Sequence, residues 1–264
     1  MFNVMKAQIY QLLRNRGTYI ILTIALIFTF CVNFADISGK NETELVGSYV
    51  LANSGSTNIV IISVLLIAFT AMVCGGDMSD RTINYELLAG TKRSDVYFGR
   101  AIVSLAVNIL FSAVFTLLPL LYFTLRYGWG HTMTVNDGLA RITLTLLPMI
   151  RMTSFYIMLT FLLRNNFAMY AISYILSMVE MLVSAFISEL FDTKATLYIF
   201  SMDCFDRIMV PKNAGLGFFD DEDIMVVKDV IESPLAYSII ISGIVGTAVF
   251  LLLGYAVFRR RDMN

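Results

Sequence analysis

The sequence predicts an all-α membrane protein with six transmembrane helices. Hydrophobic residues make up 58% and charged residues 15% of the 264 residues, which is more apolar than a soluble domain buries in one core. Six apolar runs are each long enough to cross about 30 Å of hydrocarbon as a helix. The predicted spans are residues 18–34, 58–75, 101–124, 142–163, 167–188 and 235–258. Residues 1–264 are therefore predicted to form a single transmembrane domain.

Residues 1–16 have the pattern of an amphipathic helix that lies on the membrane surface. One helical face carries apolar residues, namely Phe2, Met5, Ile9, Leu12 and Leu13, and the opposite face carries Asn3, Gln11, Arg14 and Asn15. The alternative is a simple flank from which the first span begins one turn early. A cleavable signal peptide is disfavoured, because the apolar run is too long for one and no A-x-A site follows it.

Basic and acidic residues are divided between alternate loops. The N-terminus, the 76–100 segment, Arg164 and the C-terminus together hold 11 of the 19 Lys and Arg residues but only 5 of the 20 acids. The other loops hold 7 basic and 14 acidic residues. The positive-inside rule therefore predicts that both termini and the 76–100 segment are cytoplasmic.

The outside loop 189–234 is 46 residues long and contains 10 acids. Apolar patches at 197–200 and 224–227 predict two short helices that dip into the outer leaflet. The consecutive acids at 220–223 lack the alternate spacing and the central glycine of a calcium-binding loop. This run therefore favours a solvated turn over a calcium site.

Two ionisable residues of opposite charge, Arg151 and Glu180, fall inside predicted spans. Each alone costs about 2.5–3.5 kcal/mol at a helix centre. Arg151 lies 13 residues before Arg164 and Glu180 lies 14 residues after Asn166, so both sit about 20 Å from the same interface. Because only a short turn joins the two helices, we expect the side chains to form an intramembrane ion pair. Separate snorkelling or water-facing positions are the alternative.

The sequence lacks the common catalytic and metal-binding motifs. It has no phosphate-binding loop, no H-E-x-x-H, no G-x-S-x-G and no C-x-x-C. The single histidine, His131, stands beside Trp129 in an outside loop, as residues of an interfacial aromatic belt do. We therefore expect no catalytic residue, no metal site and no cofactor in this chain, and nothing indicates nucleic acid binding.

The 76–100 segment is a polar stretch between two predicted spans. Residues 83–89 are predicted to form a short helix with Ser79 or Asp80 as N-cap and Gly90 as C-cap, and Ser94 or Asp95 is predicted to cap the next helix. The alternative is a solvated loop that carries topology-setting charges.

On these residues the chain resembles the type-2 ABC exporter permeases. The similar positions are Asp77, Arg81, Thr82, Leu87, Leu88, Gly90, Arg93, Tyr97, Gly99 and Arg100. The basic ending Phe258, Arg259, Arg260, Arg261, Asp262 and the order of the elements extend the likeness over the whole chain. The chain has Asp77, Arg81 and Arg100 where the family usually has Glu, Gly and Lys; the first and third keep the charge, whereas Arg81 replaces a glycine of the family's turn.

The resemblance implies a permease subunit in a bacterial cytoplasmic membrane that works with two separate ATPase subunits and a second permease, identical or different. ATP and magnesium would bind the ATPase. The 76–100 segment would act as a coupling helix. Its contact residues would be Arg81, Ile83, Tyr85, Glu86, Leu87 and Arg93. The cargo implied is an amphipathic peptide, such as a phenol-soluble-modulin-like toxin or, as in lantibiotic-immunity permeases, an antimicrobial peptide.

Two other classes stay open. A secondary transporter or membrane scaffold would have no ATPase partner, although the sequence shows no internal repeat of spans. An intramembrane enzyme would need a titrating group near His131 or Glu180.

Overall fold

The computed structural model describes residues 1–37, 46–76, 82–130, 133–163, 165–191, 196–201, 204–205, 208 and 233–260. All regular structure in these ranges is helical, which confirms the predicted all-α class for the described part of the chain. The helices are α1 (Phe2–Arg14), α2 (Arg16–Ile37), α3 (Gly47–Thr70), α4 (Ile83–Leu88), α5 (Arg93–Tyr127), α6 (Val135–Leu163), α7 (Asn166–Phe191), α8 (Thr196–Ile199) and α9 (Ser233–Arg260). A π-helical turn, Ala71–Gly75, follows α3 directly.

Five of these helices, α2, α5, α6, α7 and α9, are long and apolar enough to cross a membrane. The chain is therefore a multi-pass membrane protein by helix length and composition. The predicted second span, 58–75, falls in the continuous helical stretch formed by α3 and the π-helical turn. Within that stretch, Val60–Gly75 forms a shorter apolar helix.

The helices extend beyond the apolar runs that predicted them. α5 has 35 residues, which at about 1.5 Å per residue gives roughly 50 Å, well over the hydrocarbon thickness of about 30 Å. Hydropathy marks only the part of a helix that is apolar, so it misses polar turns at the ends. The predicted cap at Ser94 or Asp95 is also wrong, because α5 begins at Arg93 and Lys92 occupies the N-cap position without a side-chain hydrogen bond.

Helix α6 lies at the centre of the bundle, where it contacts α3, α5, α7 and α9. Its closest neighbour is α9, which approaches through glycines. A Cβ atom at Gly246 would lie 2.7 Å from Cδ of Arg151. A Cβ atom at Gly254 would lie 2.5 Å from the Tyr97 hydroxyl and 3.2 Å from Cα of Met158. Small residues at such positions let membrane helices pack backbone to backbone.

The chain segments that connect the helices lie at two opposite ends of the bundle. At the end that we call the basic end, Asp95 lies 3.4 Å from the amino group of Met1, and Arg93 Nη1 donates to the Arg259 carbonyl at 2.8 Å. The π-helical turn also meets the start of α7 there. The N-terminus, the region around α4 and the end of α9 therefore share one end, in keeping with the charge-based grouping. Their cytoplasmic location stays a prediction.

The amphipathic pattern of α1 predicted one apolar and one polar face. In the structure the apolar residues divide between a face that packs on the bundle and an exposed outward face, beside the polar side chains. Val4, Gln8 and Leu12 are buried. They face the bundle, and Val4 lies against Gly99 of α5. The apolar residues Phe2 and Ile9, together with Leu13, are instead exposed on the outward side of the helix.

Part of the outside loop 189–234 lies in the described residues. Helix α8 falls on the first predicted apolar patch, 197–200. The second patch at 224–227 and the acids at 220–223 lie outside the described residues, as do Ser79, Asp80, Arg81, His131 and Arg164.

Candidate functional site

The short helix α4 lies at the basic end, between the π-helical turn and α5. It has six residues, one fewer than predicted, and ends in a tight turn. Thr82 occupies its N-cap position without a side-chain hydrogen bond, so the predicted N-cap at Ser79 or Asp80 is wrong because the helix begins later than either residue would place it. The amide groups of Ala89 and Gly90 donate to the carbonyls of Tyr85 and Leu87 at 2.9 and 3.0 Å. The C-cap position is Ala89, one residue before the predicted C-cap, and Gly90 follows it with a φ of 89°, a conformation that favours glycine.

One side of α4 is fixed in the core of the basic end. Ile83 is only 2% exposed. It belongs to a buried cluster with Val73 of the π-helical turn, Tyr97 of α5 and Phe258 of α9, and Leu87 packs against the same cluster. Displacement of α4 would therefore disturb side chains of at least three other elements.

An ion pair holds the same side of α4 to α5. Arg100 Nη2 lies 3.0 Å from Glu86 Oε1; the Arg100 side chain is fully buried and that of Glu86 is 30% exposed. The Arg100 main chain is also engaged, because Cys74 Sγ of the π-helical turn lies 3.8 Å from its carbonyl oxygen. A buried guanidinium is stable only when its charge is compensated, so this contact fixes the register of α4 on α5.

Two further side chains of α5 bind the last helix. Tyr97 donates its hydroxyl proton to the Leu251 carbonyl at 2.9 Å, in the region where Gly254 leaves room for the ring. Arg93 donates to the carbonyl of Arg259, one of the last-turn carbonyls of α9 that have no partner within the helix. A cation at a helix C-terminus also interacts favourably with the helix dipole. The first turns of α5 thus link α4 to α9.

The opposite side of α4 faces outward. Tyr85 is 73% exposed and Leu88 is 82% exposed. Residues three apart on a helix are neighbours, so the two side chains form one exposed apolar pair. We call this pair, Tyr85 and Leu88, the α4 surface.

The structure separates the residues that the sequence had assigned to one contact. Tyr85 is directed outward, whereas Ile83, Leu87 and Glu86 are directed toward the bundle and Arg93 toward α9. Arg81 lies outside the described residues. Sequence reasoning did not assign Leu88 to the contact, although its spacing from Tyr85 is a signal that could have found it.

Arg151 and Glu180 both bind the segment around α8. Arg151 is 2% exposed, and its Nη2 donates to the Ile199 carbonyl. Glu180 accepts a hydrogen bond from the amide of Ser201. The two side chains therefore meet the same short stretch of main chain, 199–201. Their direct ion pair stays a prediction.

A neutral polar cluster that sequence reasoning missed joins three helices near the start of the π-helical turn. Asn108 of α5, 1% exposed, has its Nδ2 atom 2.9 Å from Thr70 Oγ1, 3.2 Å from Thr153 Oγ1 and 3.3 Å from the Leu66 carbonyl oxygen. We call Asn108, Thr70 and Thr153 the Asn108 cluster. An asparagine in the middle of an apolar span was the available signal, because such a residue hydrogen-bonds across helices.

Within the described part of the chain, no group of three or more His, Cys, Asp or Glu side chains is arranged to hold a metal ion. Among the described polar side chains of the basic end, Glu86, Arg100, Arg93 and Tyr97 form contacts between helices.

A family model matches residues 7–264, which is nearly the whole chain. The chain belongs to the family described as "Protein of unknown function (DUF2705)". No curated protein matches it. In this DUF2705 member, the described side chains of the basic end link α4 to α5 and α5 to α9.

Proposed function

We propose that this chain is the permease subunit of an ATP-driven exporter and that a separate ATPase binds the α4 surface. The observation that carries the proposal is the division of α4 into two sides. One side leaves Tyr85 and Leu88 exposed, and the other is fixed to α5 and α9 through Ile83 and the Glu86–Arg100 ion pair.

This arrangement suits a coupling element. A partner that binds Tyr85 and Leu88 applies force to α4, and the buried contacts of α4 pass it to α5 and α9. Coupling also requires that the partner bind two states of the permease with different affinity, because a ligand with equal affinity shifts no equilibrium. The similarity of the surrounding segment to type-2 ABC exporter permeases supports an ATPase as the partner.

The membrane arrangement completes the proposal. The predicted second span, 58–75, crosses the membrane together with the five longer helices, and the basic end faces the cytoplasm of a bacterial cell. A second permease, the same chain or a different one, and two ATPase subunits make up the complex. The chain itself is not an enzyme; ATP and magnesium bind the ATPase. The cargo is an amphipathic or hydrophobic peptide that enters from the membrane.

The test is co-expression of the full chain with the ATPase encoded beside it, followed by purification in lipid. We expect a stable complex whose ATP hydrolysis responds to amphipathic peptides. The variant Tyr85→Ala/Leu88→Ala should weaken the complex by roughly thirtyfold or more, because truncation of each anchor at an interface costs on the order of 1–2 kcal/mol and about 1.4 kcal/mol is tenfold in affinity.

The matched control is Leu125→Ala/Leu139→Ala. Both leucines are highly exposed, but they lie near the opposite end of the bundle. This variant should leave the ATPase complex intact. Equal weakening by both variants, or peptide transport without any ATPase, would contradict the proposal, and the second result would favour a secondary transporter.

A further inference from the structure

The outward side of α1 carries three large apolar side chains that are exposed although the helix packs on the bundle. The exposed fractions are 72% for Phe2, 44% for Ile9 and 60% for Leu13. These residues share one face, separated from the buried face of Val4, Gln8 and Leu12. We call Phe2, Ile9 and Leu13 the outer arc of α1.

Basic side chains lie beside the outer arc. Lys6, Arg14 and Arg16 are all exposed, and residues 1–35 contain no Asp or Glu. Arg14 Nη1 donates to the Tyr10 hydroxyl at 3.1 Å, which holds this guanidinium on the polar side of the helix. An apolar arc with basic flanks and no acids is complementary to a surface that is apolar beneath and negatively charged above.

The corner between α1 and α2 fixes where the outer arc can lie. Only Asn15 separates the two helices, and its Oδ1 accepts a hydrogen bond from the Gly17 amide at 2.9 Å. Side chains at the start of α2 bind the last carbonyls of α1. Thr18 donates to the Leu12 carbonyl at 3.1 Å, and Tyr19 donates to the Leu13 carbonyl at 2.8 Å.

These contacts satisfy carbonyls that have no partner within α1, so α1 cannot swing away from α2 without losing them. Because α2 is long and apolar enough to cross a membrane, the corner holds α1 at the membrane edge.

We propose that the outer arc of α1 docks on a bilayer that contains anionic phospholipid and that Lys6, Arg14 and Arg16 select the anionic headgroups. Within the described ranges, the acids at the basic end contact groups other than these three cations. Of the described acids at the basic end, Asp95 meets the Met1 amino group and Glu86 meets Arg100. Further exposed cations at that end are Lys92, Arg259 and Arg260. The proposal goes beyond the exporter function and does not depend on it.

Because Val4 of α1 packs against Gly99 of α5, lipid that holds the outer side of α1 also holds α1 against the first turns of α5. These are the turns that bind α4 and α9 through Arg100 and Arg93. Anionic lipid would thus stabilise the basic end as a unit.

The experiment measures which lipid contacts the outer arc in bilayers of the full chain. The chain has one tryptophan, so a Trp129→Phe background allows a reporter to be placed by Leu13→Trp. Quenching is compared between brominated phosphatidylglycerol and brominated phosphatidylcholine. Gln11→Trp, on the polar side of α1, is the matched control, and native Trp129 in the otherwise unchanged chain reports the opposite end.

We expect both lipids to quench the Leu13→Trp reporter, with phosphatidylglycerol preferred. The preference should be about fivefold for each cation that engages a headgroup, since one basic residue near an anionic surface contributes about 1 kcal/mol. It should fall toward one in the variant Lys6→Gln/Arg14→Gln/Arg16→Gln and at high salt. The Gln11→Trp reporter should be quenched weakly by both lipids, and Trp129 should show no preference.

Equal quenching of the Leu13→Trp reporter by the two lipids would overturn the proposal. Protection of this reporter from both lipids would also overturn it and would indicate that a protein covers the outer arc. If Trp129→Phe does not fold, the unchanged chain and the triple glutamine variant are purified from the same membranes, and their retained lipids are measured by mass spectrometry. An equal share of anionic lipid in the two samples refutes the selection.

Discussion

Replacing Glu86 with leucine should destabilise the basic end more than replacing its partner Arg100 with methionine. The two side chains form an ion pair at 3.0 Å, but they differ in exposure: that of Arg100 is fully buried and that of Glu86 is 30% exposed. Glu86→Leu takes a carboxylate away from a fully buried guanidinium. Arg100→Met leaves a carboxylate that water can still reach, and it keeps an unbranched side chain in the space that Arg100 occupies.

The magnitudes follow from these exposures. Removal of one partner of a buried ion pair costs about 3–5 kcal/mol, and the partial exposure of Glu86 places this site at the lower end, about 3 kcal/mol. The hydrated carboxylate left by Arg100→Met costs about 1–2 kcal/mol. The double variant should cost at least about 1 kcal/mol less than the sum of the single variants, because the two residues contact each other.

Cys74 provides the assay. It is buried, and its Sγ lies 3.8 Å from the Arg100 carbonyl oxygen, so a thiol reagent reaches it only when this region opens. In a Cys31→Ser/Cys204→Ser background it is the single thiol. The labelling rate should rise about a hundredfold for Glu86→Leu and about tenfold for Arg100→Met, at about 1.36 kcal/mol for each factor of ten. Equal rates for the two variants, or strictly additive effects, would refute the reasoning.

Three further changes test other contacts. Gly246→Ala should lower the thermal unfolding temperature, because the added Cβ would lie 2.7 Å from an Arg151 side-chain atom and such overpacking costs about 1–3 kcal/mol. Gly76→Ala is the control: no atom lies within 4 Å of its added Cβ, so the unfolding temperature should not fall. Asn108→Leu should cost about 0.6–1.7 kcal/mol in chemical unfolding by removing an interhelical hydrogen-bond donor, and no loss would contradict its bridging role. Arg93→Met removes the donor to the Arg259 carbonyl, so it should speed amide hydrogen exchange in the last turn of α9 but not in the middle of that helix. Unchanged exchange would show that this hydrogen bond does not cap the helix.

Helix positions were predictable because a long apolar run has few structures available in a membrane. An unsatisfied backbone group in hydrocarbon is costly, so such a run forms a helix. Helix ends were less predictable. The seven residues from Val135 that precede the predicted start of α6 are polar enough to fall below a hydropathy limit, yet they continue the helix. The π-helical turn after Thr70 has no hydropathy signal at all.

The site was predictable in place but not in orientation. The segment around α4 stood out as polar sequence between two apolar runs, and Gly90 marked the C-cap of its helix to within one residue. The sequence alone does not say which side of a six-residue helix faces the bundle. Ile83 and Tyr85 are both suited to an interface, but the first is buried and the second is exposed. For α1, too, the sequence alone does not say which apolar residues face the bundle, because lipid and the protein interior both accept apolar side chains.

The close approach at Gly254 has a consequence for sequence variation within the family. A Cβ atom at this position would meet both the Tyr97 hydroxyl and the main chain of Met158, whereas Leu252 and Leu253 are 62% and 51% exposed. An alignment of DUF2705 members should therefore hold glycine at position 254 wherever position 97 keeps its large aromatic ring. Positions 252 and 253 should interchange freely among apolar residues, and any alanine or serine at 254 should occur together with a smaller residue at 97.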